Sequence, residues 1–235
     1  MPRPIKKRVK KKEVRTETEV KDKLSDLKSQ LREKQKAVMA YSIAAGAILV
    51  VLAGILYHRY SFGEKSRLAE NAAYNYYYGE HLNEPMARRE QVQKALDLFK
   101  KAYNFRESPR LLLYIANSYY ELGKYDEALA SLNDFVRKDS SNHDLLPLAY
   151  KMMADTQLQK GDKQGALKTL NTLYTSPGKI YKDFALMESA HILESEGKTG
   201  EASAKYRELA EKFKDSPFYE AAKAKLEVKK EGKEK

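Results

Sequence analysis

Residues 109–142 read PRLLLYIANSYYELGKYDEALASLNDFVRKDSSN, and this stretch decides the fold. Leu112, Ile115, Ala116 and Tyr119 follow one another at helical spacing, and Ala128, Leu132 and Phe135 do so again after Gly123. Apolar residues recurring every third and fourth position mark one face of a helix, here twice in succession. Gly123 stands where the first helix must stop, because glycine supplies the left-handed residue that ends a helix. The stretch predicts a helical hairpin.

The same pattern returns downstream. ELGKYDEAL surrounds Gly123, QKGDKQGAL surrounds Gly161 and SEGKTGEAS surrounds Gly197, at intervals of 38 and 36 residues. A fixed period of this size is the mark of stacked helical hairpins. These residues resemble the tetratricopeptide repeat (TPR), whose signature is W-x2-L-G-x2-Y in helix A and A-x3-F in helix B, over about 34 residues. The copy at 109–142 matches it through Leu112-x2-Ile115-Ala116-x2-Tyr119 and Ala128-x3-Leu132-x2-Phe135. The copy at 147–180 reads Tyr150-x2-Met153-Ala154-x2-Gln157, then Ala166-x3-Leu170-x2-Leu173; that at 183–216 reads Leu186-x2-Ser189-Ala190-x2-Leu193, then Ala202-x3-Tyr206-x2-Leu209. Alanine at two fixed positions lets the paired helices approach closely. Upstream, Ala69-x2-Ala72-Ala73-x2-Tyr76 and Ala95-x3-Phe99-x2-Ala102 form an irregular copy over 67–108, interrupted by the loop GEHLNEPMARRE. Downstream, residues 217–230 read as a capping helix with Phe218, Ala221, Ala222 and Leu226 on one face, and 231–235 as a tail.

Ahead of these repeats, residues 37–57 read AVMAYSIAAGAILVVLAGILY, without a charge. As a helix the run extends roughly 31 Å, about the thickness of a bilayer's hydrocarbon core. It is longer than the hydrophobic region of a cleaved signal peptide and is read as a transmembrane signal anchor. Residues 17–36 carry six Lys/Arg and residues 58–77 carry three. The positive-inside rule then puts the N terminus in the cytoplasm and the repeats across the membrane, a single-pass topology. Residues 1–16 form a basic arm expected to be disordered, 17–36 a juxtamembrane amphipathic helix through Val20, Leu24, Leu27 and Leu31, and 58–66 a linker to the solenoid at 67–230. The same stripe, with Ser42 and Gly46 in the apolar run, also offers a weak homodimer seam. The fold class expected is all-α: one transmembrane helix, then a TPR-like solenoid with a C-terminal cap.

Charge supports that division. The chain has 235 residues and a net charge of +11, with no cysteine. Residues 1–36 hold +8 and residues 223–235 hold +3, so the span between them is neutral. A basic total would otherwise invite nucleic acid, yet the arm lacks an aromatic residue for base stacking. The missing cysteines exclude disulfides, thiolate metal sites and a cysteine nucleophile. His58, His81, His143 and His191 show no metal-ligand spacing, and no phosphate-binding loop, nucleophile elbow or HExxH occurs. No cofactor, metal or catalytic residue is assigned, and the chain is not read as an enzyme.

The TPR resemblance implies that helix A residues at the fifth, ninth and twelfth positions line a concave peptide groove. Those are Leu113, Asn117 and Tyr120, then Lys151, Asp155 and Leu158, then Met187, His191 and Glu194. The family's chaperone-tail clamp needs Lys at the fifth position, where this chain has Leu113, and a later basic residue, where it has Glu188; that ligand is not expected. In the run Tyr74, Tyr76, Tyr77, Tyr78, the last two are read as a candidate aromatic patch for a partner. The order of basic arm, single anchor and neutral solenoid resembles the ancillary subunit of the bacterial SecY translocon, which implies translocon subunits, clients or periplasmic chaperones as partners. An envelope-assembly or division scaffold fits the same architecture. A reading of another class gives the work to the arm, tethering nucleic acid, ribosomes or anionic lipid.

Overall fold

The computed structural model describes residues 13–80, 86–140 and 144–231. Residues 1–12 of the arm, the turns holding His81 and His143, and residues 232–235 of the tail lie outside the described residues. The described residues are helical, with no strand among them. They divide into two compact units, 1–61 and 62–235.

In the first unit the described residues belong to one helix, α1, which runs Glu13–Tyr78 and continues into the second unit. Its sequence passes from charged helix formers to Ala, Leu and Ile with no proline, so nothing removes a hydrogen bond along it. Every residue from Thr18 to Tyr60 is exposed, including the uncharged run. Within that run the Ser42 hydroxyl donates to the Val38 carbonyl at 2.9 Å, which satisfies the polar group inside its own helix.

The expected linker at 58–66 is a correction. These residues are helical, within α1. From Phe62 onward they pack in the second unit: the Phe62 ring meets Phe105 edge-on at 5.9 Å, and the buried Ser66 hydroxyl donates to the Ala102 carbonyl at 2.9 Å. Packing contacts of this kind favour helix in the segment expected as a linker.

The second unit adds α2 (Arg88–Phe105), α3 (Pro109–Glu121), α4 (Tyr125–Lys138), α5 (Leu146–Gln159), α6 (Lys163–Thr175), α7 (Lys182–Ser195), α8 (Thr199–Lys212) and α9 (Tyr219–Glu231). From α2 on, each helix packs on the next, and α3 also meets α5, as in a stack of hairpins. Helices α3/α4, α5/α6 and α7/α8 are the three regular hairpins. In each turn a left-handed glycine (Gly123, Gly161 or Gly197, φ 76, 84 and 74°) ends the A helix. The following N–H reaches back five residues, Lys124 to Tyr119, Asp162 to Gln157 and Lys198 to Leu193, at 2.8, 2.8 and 2.9 Å. This is the Schellman closure that satisfies the last carbonyls of a helix.

The alanines sit at the tightest places. Ala116, Ala154, Ala190, Ala128 and Ala166 are completely buried and Ala202 is almost so. Leu132, Leu170 and Tyr206 lie one turn further along the B helices, with Phe135, Leu173 and Leu209 after them, all buried. Among the described residues no buried side-chain polar atom lacks a hydrogen-bond partner. Helix α9 closes the stack on α8, with Ala222 fully buried and Phe218 and Leu226 packed beside it.

Candidate peptide-binding groove

The A helices α3, α5 and α7 carry the nine residues expected to line a groove, and the structure sorts them into three groups. Leu113 and Met187 are buried, so the two apolar residues at the fifth position are core rather than groove lining. That position borders the seam between neighbouring helices, and an apolar side chain there turns inward to leave water. Lys151, the polar residue at the same position, stays half-exposed.

Asn117, Tyr120 and Asp155 come together. With Ala116, Met152 and Thr156 they line a cleft of about 80 Å³ where α3 meets α5. Lys151 pairs with Asp155 at 2.8 Å, and its ammonium lies 4.6 Å above the Phe184 ring. The two charges of α5 therefore compensate each other at the surface. Burial, reinforced by the charge of Asp155, pushes the Tyr120 hydroxyl above its ordinary range, so it stays protonated and able to donate. Leu158, half-buried, packs with the core around Leu170.

His191 and Glu194 lie at the other end. His191 is exposed, with Nδ1 3.4 Å from the Glu188 carboxylate. Glu194 accepts from the Tyr206 hydroxyl at 3.0 Å and from Lys225 of α9 at 2.8 Å. The Lys225 ammonium leads in holding the Glu194 carboxyl below its ordinary range, against its partial desolvation. Behind this pair opens a cleft of about 610 Å³ floored by Ala202, Tyr206, Ala221 and Ala224.

The aromatic patch also needs correcting. Tyr77 is buried, while Tyr78 is exposed. The Tyr77 hydroxyl donates to Glu121 and accepts from Asn117. Arg88 grips the Glu121 carboxylate through two nitrogens, at 2.9 and 2.8 Å, donates to the Tyr77 carbonyl and lies 4.8 Å above the Tyr77 ring. A buried phenol needs a hydrogen-bond partner, and Arg88 and Glu121, which sequence reasoning missed, complete the set that holds it. Local sequence spacing carried no signal for them, since Arg88 and Glu121 are 33 residues apart. Tyr74, Phe99 and Tyr114 stack beside this network, with ring centres 5.0 to 5.3 Å apart.

Among the described residues no group of three or more His, Asp or Glu side chains could hold a metal ion. What the A-helix face offers is a small cleft between α3 and α5 with amide, phenol and paired charges at its edges.

The tetratricopeptide repeat-like domain family matches residues 35–230. The chain belongs to that family. This TPR-like match takes in the apolar part of α1 as well as the solenoid. No curated protein matches the chain. Among solved structures, a crystal structure of MamA is 19% identical, covers 73% of this chain and 84% of its own, and superposes with a TM-score of 0.55. A second MamA crystal structure is 18% identical over 65% of this chain and 86% of its own, with a TM-score of 0.49. The TPR2AB domain of yeast Sti1, in a complex with pHSP90, is 18% identical over 70% of this chain and 72% of its own, with a TM-score of 0.42. The first of these likenesses confirms the solenoid fold. As a TPR-like protein the chain is a protein-interaction scaffold, built as stacked hairpins.

Proposed function

We propose that this scaffold is anchored in a membrane by residues 37–57 and presents its A-helix face to protein segments on the extracytoplasmic side. One observation carries the anchoring: the run of 21 uncharged residues is helical and exposed at every position. Exposed apolar surface on that scale is costly in water and favourable in hydrocarbon. The basic residues before the run, twice as many as in the span after it, favour a cytoplasmic N terminus. On this reading the cell is bacterial, the membrane its inner one, and the groove faces the periplasm. The partners are translocating chains, translocon subunits or periplasmic chaperones, and the role is to assist translocation or recruit chaperones. The resemblance to the SecY-associated subunit supports that choice over a purely structural role in the envelope.

The absence of cysteine makes the test clean. A His191→Cys variant carries one exposed thiol. We expect a membrane-impermeant thiol reagent to label it in spheroplasts with the cytoplasmic membrane intact. Labelling that needs the membrane to be opened first would overturn the orientation, and extraction of the chain by alkaline carbonate would overturn the anchoring. A photo-cross-linker replacing Tyr120 is expected to trap translocon subunits or chaperones. Trapping of cytoplasmic proteins only would reject the assignment of partners.

A further inference from the structure

The edge of the solenoid that carries the connections between hairpins holds a cleft of about 610 Å³, remote from the α3–α5 cleft. Its walls are the segment between α6 and α7 and the segment between α8 and α9. The Ser216 hydroxyl ties them together by donating to Asp183 at 2.6 Å. Four lysines line the cleft, Lys179, Lys182, Lys212 and Lys214, against two carboxylates, Asp183 and Asp215. Alongside, the ammonium groups of Lys182, Lys205 and Lys212 lie 5.8, 5.9 and 5.7 Å from the centre of the Tyr174 ring.

This positive charge is only partly compensated by Asp183, Asp215 and Glu208. Lys212 pairs with Glu208 at 2.7 Å, and Glu208 also accepts from the Tyr174 hydroxyl. Lys179, Lys182 and Lys214 make no ion pair among the described residues. Elsewhere on the solenoid, lysines such as Lys138, Lys151, Lys160 and Lys225 each meet a carboxylate from their own chain. Crowded like charges repel, and an oppositely charged ligand relieves that repulsion.

We infer that this cleft is a second docking site, which takes an acidic segment of a partner protein. Charge complementarity sets the sign of the occupant, and three features set its class. The ammonium is a compact point charge that suits separate carboxylates spaced along a chain. Asp183 and Asp215 interrupt the positive surface, which disfavours the unbroken run of phosphates along a nucleic acid. Phe213 and Pro217 in the same lining give the segment apolar surface to lie against. The site stands apart from the proposed groove and does not depend on what that groove binds.

The test uses the full-length chain in detergent micelles and a fluorescent peptide of alternating Glu and Gly. The peptide is expected to bind at low salt and to weaken as salt rises. The triple variant Lys179→Glu, Lys182→Glu, Lys214→Glu breaks no ion pair and is expected to lose about tenfold or more in affinity. The variant Lys101→Glu, Lys124→Glu, Lys168→Glu makes the same change in net charge at exposed sites elsewhere and is expected to keep its affinity within about twofold. Equal loss in both variants would overturn the proposal, since net charge alone would then explain binding. So would failure of the peptide to bind, or displacement by single-stranded DNA at lower concentration than by unlabelled peptide. Thermal unfolding of each variant checks that the fold survives.

Discussion

The two ends of the solenoid are closed by different means. At the first hairpin Phe99 is completely buried among the rings of Tyr74, Tyr77 and Tyr114, and the phenol of Tyr77 is held by Asn117, Glu121 and Arg88. At the last, alanines floor an open cleft, and one ion pair at its rim, Glu194 to Lys225, reaches from α7 to α9. Large rings fill space and exclude water from the polar groups they surround. Small side chains permit close approach but leave gaps where helices diverge. The first end is therefore a sealed core, while the last, packed through Ala222, Phe218 and Leu226, keeps an open cleft with an ion pair on its rim.

Four substitutions would break or sharpen that contrast. Phe99→Ala removes a ring packed on three others and should cost about 3–5 kcal/mol, read from the denaturant midpoint. A loss no greater than that of an exposed substitution would show that the first end is not a single core. Tyr77→Phe removes the hydrogen bonds of a buried phenol to Asn117 and Glu121 and should cost about 1–2 kcal/mol. The same change at the other end, Tyr206→Phe, removes a hydroxyl bonded to a half-exposed carboxylate, and should cost about 0.5 kcal/mol. If the two tyrosines prove equal by thermal unfolding, the distinction between sealed core and rim fails. Lys225→Ala should cost no more than that, about 0.2–0.5 kcal/mol, because the pair is partly solvated and screened by salt.

The last substitution has a pH signature. The Glu194 carboxyl titrates lower in the folded chain than its ordinary value of 4.5. A depressed carboxyl contributes stability above its unfolded value and loses it as pH falls through the folded one. Lys225→Ala should therefore lower stability at neutral pH and flatten the acid limb below 4.5, the two chains converging once the carboxyl is protonated. An unchanged acid limb would mean that the rim pair does not hold α9.

The repeat was legible because it is written in short-range rules. Glycine after each A helix, alanine at the crossing points and large residues one turn later all act within a single hairpin, and each took its expected place. The failures were long-range. The fate of Tyr77 depends on Arg88 and Glu121, and that of residues 58–66 on Ala102 and Phe105, none of which a local window reaches. Leu113 and Met187 failed for a different reason: the fifth position lies on a border, and the side chain's own polarity decides which way it faces. The lysine cleft shared the first difficulty, since its two walls lie about one repeat apart in the chain.

The spacing of the glycines has an evolutionary consequence. Successive turns lie 38 and 36 residues apart, and the period varies while the hairpins themselves stay matched. The variation falls in the connections between hairpins, where extra residues disturb no alanine crossing. One edge of the stack is thus free to lengthen, shorten and change its chemistry from one descendant to the next, while the other is pinned by its glycines. New specificity in such a protein should accumulate along the free edge, where lysines already gather between α6 and α9.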